Sequence, residues 1–236
     1  MSLSFLKTND EQIQGEKDSV GGSYTRESDV YRMKIVGAYL STASSGAHAL
    51  NVTFKDGDGE IKQTFWITSG KEKGCKPYYE KDGKKTFLPG FLQANSLCLL
   101  TADKEISDMV PEQKLVNIYN VDAKKEVPTQ VPVLMDIIGK EIKVGLLKQT
   151  VNKNVKGGDG TYHPTNETRD ENEVDKLFSA SNDMTSTEIK AQAKEATFIN
   201  TWLGKWKGVT KNKVKEVANP KVATSIGKPA TSLFGA

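Results

Sequence analysis

The sequence predicts a mainly β protein: an antiparallel meander with a short internal helix and a C-terminal helix, between loose termini. Three observations carry this expectation. Apolar residues recur with period two from Asp29 to Ile67. Asp-Gly dipeptides separate such runs, and they suit tight hairpin turns because Gly, Asp and Asn tolerate positive φ. Helical periodicity of any length enters only after Thr185.

Residues 1–28 are polar and contain Gly21-Gly22-Ser23, so they read as a loose lead-in. Then Tyr31, Met33, Ile35 and Tyr39 alternate with Arg32, Lys34 and Ala38, the pattern of a strand with one face in a core. Leu50, Val52 and Phe54 repeat it, as do Ile61, Phe65 and Ile67, with Asp56-Gly57-Asp58-Gly59 as the turn between them. Tyr78 to Phe87 is a second hairpin, turning at Asp82-Gly83. Phe91 to Leu100 is an apolar run without β-branched residues, opened by Pro89-Gly90, and predicts a short buried helix. Strands are expected at 114–121, 131–135 and 140–151, and a polar, Gly-containing loop at 152–171. Thr185-Ser186-Thr187-Glu188 has capping-box spacing. Behind it Ile189, Ala193, Ala196, Ile199, Leu203 and Trp206 form one stripe, predicting a continuous helix over 185–206 with Trp202 and Trp206 as core anchors. Beyond it, 207–236 reads as a basic flexible tail.

A chain of 236 residues can bury one sizeable core, here expected over 29–206. No apolar run approaches the ~20 residues that span a bilayer, so no membrane segment is expected. The absence of a basic-then-apolar leader argues against secretion. Two cysteines, Cys75 and Cys98, cannot build a disulfide framework and suit a reducing cytoplasm.

Net charge is only +3, so its placement matters more than its total. Seven acids face two bases between Glu167 and Glu188, and seven lysines face one acid between Asn200 and Ala236. Six lysines face three acids from Lys71 to Lys85. Three basic zones in a small protein favour a polyanionic partner.

Catalytic constellations are scarce, and the expectation is a protein that is not an enzyme. His48, His163, Cys75 and Cys98 lack short ligand spacing, so neither metal nor other cofactor is expected. Asp56, Asp58 and Glu60 open like a calcium loop but run into a strand. Gly70 to Gly74 lacks the phosphate-loop frame, and there is no Gly-x-Ser-x-Gly elbow. A metal-dependent nuclease assembled from dispersed carboxylates stays open as an alternative, as does a non-catalytic virion or host-interaction protein.

The best local signal is an interleaving of aromatics and cations. Lys62, Thr64, Trp66 and Thr68 share the face opposite Ile61, Phe65 and Ile67, with Lys71, Lys73, Lys76, Tyr78 and Tyr79 following. An aromatic that stacks a base while lysines follow phosphates is how single strands are held. Arg32 and Lys34 offer a matching polar face, and Lys143 and Lys148 on a later strand complete the candidate set. Trp66 must point away from the core, covered either by the C-terminal helix or by a nucleobase, and the base is favoured.

Val30 to Tyr39 followed by Ser44 to Phe54 resembles the opening of bacteriophage single-stranded DNA-binding proteins of the OB-fold type. Leu88-Pro89-Gly90-Phe91 leading to Asn95-Ser96-Leu97, Ile138 to Gln149, and Asn172 to Phe178 are similar too, so the resemblance spans roughly 24–206. It implies an OB barrel, coating of single-stranded DNA without sequence specificity, and a part in phage DNA replication or recombination. The setting implied is the cytoplasm of an infected bacterium, with phage replication proteins as further partners. That family commonly ends in an acidic tail with a terminal aromatic; here the tail is basic and Phe234 precedes Gly235-Ala236.

Overall fold

The structure is a computed structural model that describes residues 25–120, 123–158 and 160–217. Most of the lead-in and the end of the tail (1–24 and 218–236) lie outside the described residues. The three-stranded meander is present: β1 (Asp29–Thr42), β2 (His48–Asp56) and β3 (Gly59–Trp66) pair antiparallel in order. Its second turn closes as Asp-Gly chemistry dictates. The Asp58 N–H donates to Asp56 Oδ1 at 2.9 Å, and Gly59 takes φ 131°.

One strand departs from simple alternation. The β1–β2 register shifts between Ile35 and Gly37. This bulge inserts one residue and exchanges the faces, so Ala38 rather than Tyr39 enters the core after Met33 and Ile35. Tyr39 therefore lies on the outer face, opposite Asn51.

The main core lies under that meander. Met33, Ile35, Leu50, Val52, Phe54 and Phe65 meet Ala94, Leu97 and Cys98 of α1 (Pro89–Ala102), the expected internal helix. Those three α1 residues follow the i, i+3, i+4 spacing of one helical face. Burial pushes the Cys98 thiol up to about 12, so it packs as a small apolar group. Gly90 is required: a Cβ there would stand 2.3 Å from the Trp66 carbonyl oxygen, where α1 abuts the end of β3.

The remaining strands extend the sheet. The second hairpin, β4 (Tyr78–Lys81) and β5 (Lys84–Phe87), forms a separate two-stranded ribbon. β6 (Glu112–Asn120) pairs with β7 (Lys125–Val133), which meets β1 at Tyr39↔Val133. β7 begins six residues before the expected strand because Pro128 and Pro132 disguise it in sequence.

The expected loop at 152–171 is instead a long ribbon. β8 (Glu141–Lys156) and β9 (Tyr162–Ser179) pair almost throughout, turning at Gly157–Thr161. Apolar alternation is missing there because the outer half is solvated. Polar cross-strand pairs hold it: Thr150 to Asp170 at 2.7 Å, Gln149 to Glu171 at 3.0 Å, Lys153 to Glu167 at 3.1 Å. Much of the acidic segment is thus spent on neighbouring strands.

Backbone ladders do not close the sheet into a barrel. Its pairing runs β3-β2-β1-β8, with β9 beyond β8. The gap between β3 and β9 is bridged by side chains: the Val174 N–H donates to Gln63 Oε1, and Gln93 Nε2 donates to the Val174 and Asp175 carbonyls.

The C-terminal helix is two helices. α2 (Ser186–Lys190) and α3 (Phe198–Trp206) are separated at Ala191–Thr197, where Gln192 takes φ 53°. Glu188 explains the break. One carboxylate oxygen completes the capping box with Thr185; the other accepts from the Thr197 and Phe198 N–H groups at 2.8 and 2.9 Å, capping α3. Partial burial alone would raise its pKa. The N–H donors of Thr185, Phe198 and Thr197 overcome that and hold it at about 2.

The margins also differ from expectation. Arg26 and Ser28, expected in the lead-in, are buried, and Arg26 grips Asp56 through two bonds of 2.5 and 2.7 Å. That guanidinium holds the Asp56 carboxyl below the usual carboxylate range. Past α3, β10 (Thr210–Asn212) pairs parallel with β8, and Lys215 bonds to Asn152, so the fold continues beyond 207. No helix among the described residues is long and apolar enough to cross a membrane.

Candidate nucleic-acid interface

Two turns and a hairpin build a groove at one end of the meander. The 43–47 turn and the 69–76 loop are zipped together: the Lys71 N–H donates to the Ser45 carbonyl at 2.8 Å, and Cys75 Sγ to that of Gly46 at 3.4 Å. Gly46 takes φ 81°, a left-handed conformation that favours glycine, and the Lys71 side chain packs over it. A single 3-10 turn at Lys71–Lys73, closed by Gly74 at φ 77°, presents alternate lysines on a short arc.

Across from it stands the β4–β5 ribbon, anchored by an aromatic series. Tyr78 meets Phe87 edge-on at 6.5 Å, and Phe87 stacks on Phe91 of α1 at 5.0 Å. Tyr78 is further held between Lys76 and Lys85, at 5.7 and 5.1 Å from its ring. Tyr79 points the other way and is 48% exposed.

Between these walls lies an open groove of about 1170 Å³, with Trp66 in its wall and the first turn of α1 at its end. Lys71, Lys73, Lys76, Tyr78 and Tyr79 line it, together with Ser44, Ser45 and Thr68. Glu72 and Glu80 line it too, and Glu80 lies 3.9 Å from Lys85. None of the ion pairs among the described residues engages Lys71, Lys73 or Lys76. Six of the sequence-predicted residues therefore converge on one concavity.

Trp66 is 49% exposed and belongs to neither apolar core. The C-terminal helix does not cover it. α3 lies instead on the outer face of β8 and β9, where Trp202 (3% exposed) meets Phe178 and Leu147. Gly145 makes room for it: a Cβ there would lie 3.2 Å from the indole. Trp202 Nε1 donates to Asp175 at 2.7 Å, so its polar edge is satisfied. Trp202 is the expected core anchor, whereas Trp206 is only half-buried at the margin, beside Lys205 and Lys211.

Among the described residues nothing covers the other half of the sheet's outer face. Register places Lys34 opposite Lys55, Thr53 opposite Lys62, Asn51 opposite Thr64 and Ala49 opposite Trp66. Facing residues share a side, so a row of cations leads away from Trp66 along the meander. From the Trp66 row to the Lys34 row is six residues of β2, ~20 Å at ~3.3 Å each. Arg32 lies on the same side but is paired with Glu141 at 2.6 Å.

The two remaining predicted cations lie elsewhere. Lys143 pairs with Asp183, and Lys148 with Glu27 at 2.7 Å and Asp170 at 4.0 Å. Both are mostly covered and stand on the β8–β9 half with α3, away from the groove. Sequence reasoning missed Lys55, which period two carried through β2 would have set beside Lys62. It also missed Tyr39, whose phenol burial pushes above its usual pKa. No local signal announces the bulge that turns Tyr39 outward.

Among the described residues no three of His, Cys, Asp and Glu cluster as a metal-binding set. Comparison with family models, with curated proteins and with solved structures finds no match.

Proposed function

We propose that this chain binds single-stranded DNA without sequence specificity, in phage DNA replication or recombination, and does no chemistry on it. The observation that carries the reading is the groove: a half-exposed Trp66 and Tyr79 beside Lys71, Lys73 and Lys76, which form no ion pairs with carboxylates among the described residues. Bases have π-faces whatever their identity, so stacking on Trp66 and Tyr79 tolerates any sequence. The lysines supply phosphate contacts and release counterions. A duplex hides its base faces within the stack, so the same aromatics gain nothing from it. Lys62 and Lys34 then offer phosphate contacts along the open face, whereas Lys55, like Arg32, is paired with a carboxylate, Glu60 at 3.2 Å.

The test is an equilibrium titration of the full chain with labelled single strands, the matching duplex and the matching RNA. The reading expects single-stranded DNA to bind more tightly than duplex, similar affinity for different sequences, and steep weakening as salt rises. Equal affinity for duplex, or binding insensitive to salt, overturns it. Incubating the single strand with protein and a divalent metal separates the nuclease alternative, because a binder leaves the strand intact.

A further inference from the structure

Among the described residues strand β6 presents an unguarded edge. Among them it pairs only with β7, and the β6–β7 ribbon is tied to the main sheet by Tyr39↔Val133 and the Leu134 N–H to the Ala38 carbonyl at 3.0 Å. Ribbons of two strands are marginal in water unless a further strand or layer covers them. Leu115 is 74% and Tyr119 60% exposed, with Val116 and Ile118 partly buried on the other face.

The ribbon's two edges differ. Pro128 stands opposite Asn117 and Pro132 opposite Gln113. A proline has no N–H to give a ladder, so its nitrogen faces away from the strand it pairs with. Both nitrogens therefore lie along the outer edge of β7, which lacks donors there. By the same alternation Gln113, Leu115, Asn117 and Tyr119 aim their N–H and C=O groups away from β7, at the open edge of β6. The five residues Leu115 to Tyr119 contain no charge, proline or glycine, the devices by which edges are normally blunted.

We propose that β6 pairs antiparallel with β6 of a second copy about a two-fold axis through Asn117, giving one four-stranded sheet. In that register Asn117 meets its own copy, Leu115 meets the partner's Tyr119, and Val116 meets the partner's Ile118. Apolar groups thus match on both faces, and Lys114 meets the partner's Asn120. Sliding two residues either way sets Leu115 or Tyr119 against an asparagine. Sliding by one residue leaves no ladder, because even-numbered residues spend their N–H and C=O groups on β7. The two-fold contact is closed, so it consumes the edge without propagating a fibre.

Sedimentation of the full chain tests this. The expected result is a species of twice the 25.9 kDa chain mass, weakening to monomer on dilution. Asn117→Pro removes an edge N–H that β7 does not use, so the variant should be monomeric with the far-ultraviolet circular dichroism of the parent. Leu115→Lys sets a charge at the same junction and serves should the proline variant misfold; it too should be monomeric. The double variant Val116→Cys, Ile118→Cys should link into a disulfide dimer under oxidised glutathione, because facing non-hydrogen-bonded residues bring their Cα atoms within disulfide reach. A parent that stays monomeric at its highest soluble concentration, or folded variants that dimerise as the parent does, overturns the proposal. DNA affinity of the monomeric variants at limiting protein should stay near the parent's, since the groove lies on other strands.

Discussion

Trp66→Ala separates a structural tryptophan from a stacking one. The indole is 49% exposed, and Ala49 opposite it is fully buried, so part of the ring covers the sheet. An aromatic side chain offers about 150–250 Å², and half of that at about 25 cal/mol/Å² gives about 2–3 kcal/mol, an upper estimate. Removing Trp202, at 3% exposure, should cost about 3–5 kcal/mol, as core aromatics do. In binding the order should reverse. Loss of one stacked base costs about 1–3 kcal/mol, roughly a 5- to 150-fold weaker affinity for Trp66→Ala, with Trp66→Phe restoring most of it. Thermal melts and single-strand titrations on parent, Trp66→Ala, Trp66→Phe and Trp202→Ala read both quantities. Trp66→Ala with unchanged affinity refutes the stacking argument, whatever its melting temperature.

Other expectations follow from the same geometry. Replacing Lys71, Lys73 and Lys76 together with alanine should shrink the slope of log affinity against log salt by about 2, at about 0.7 per single-strand phosphate contact, while Lys143→Ala leaves it unchanged. Glu188 has a folded pKa held at about 2, below its ordinary 4.5, so the stability it contributes is present above pH 4.5 and lost as pH falls towards 2. Acid-denaturation curves should show that limb in the parent and lose it in Glu188→Gln, which should also be less stable at neutral pH. Truncation after Val217 should leave the melt cooperative and its midpoint near the parent's. Truncation after Lys207 removes β10 and the Lys215–Asn152 bonds, and should lower the midpoint.

How far the sequence foretells this structure depends on what each element uses to hold itself. Elements that bury one face announced themselves: the meander by Leu50, Val52, Phe54 and Phe65, the internal helix by its unbranched apolar run, the turn by Asp56 to Gly59. The outer β8–β9 ribbon did not, because its strands are held by ladders and polar pairs such as Lys153–Glu167, which leave no apolar period. The single helix expected at 185–206 failed for a different reason. Its stripe is genuine, but Glu188 stabilises a break that periodicity cannot see. Within the site, Trp66 to Tyr79 were legible because they are near in sequence. Lys143 and Lys148 were misplaced because a lysine on an alternating strand looks the same whether a carboxylate faces it or not.

The most direct test of the central claim is photocrosslinking. A single strand carrying a halogenated pyrimidine is irradiated with the full chain, and the adduct is mapped by peptide mass. Adducts are expected at Trp66 and Tyr79, lost at position 66 in Trp66→Ala and competed by unlabelled single strand but not by duplex. Adducts confined to Trp206 or to the 207–236 segment, with none on the groove, would contradict it.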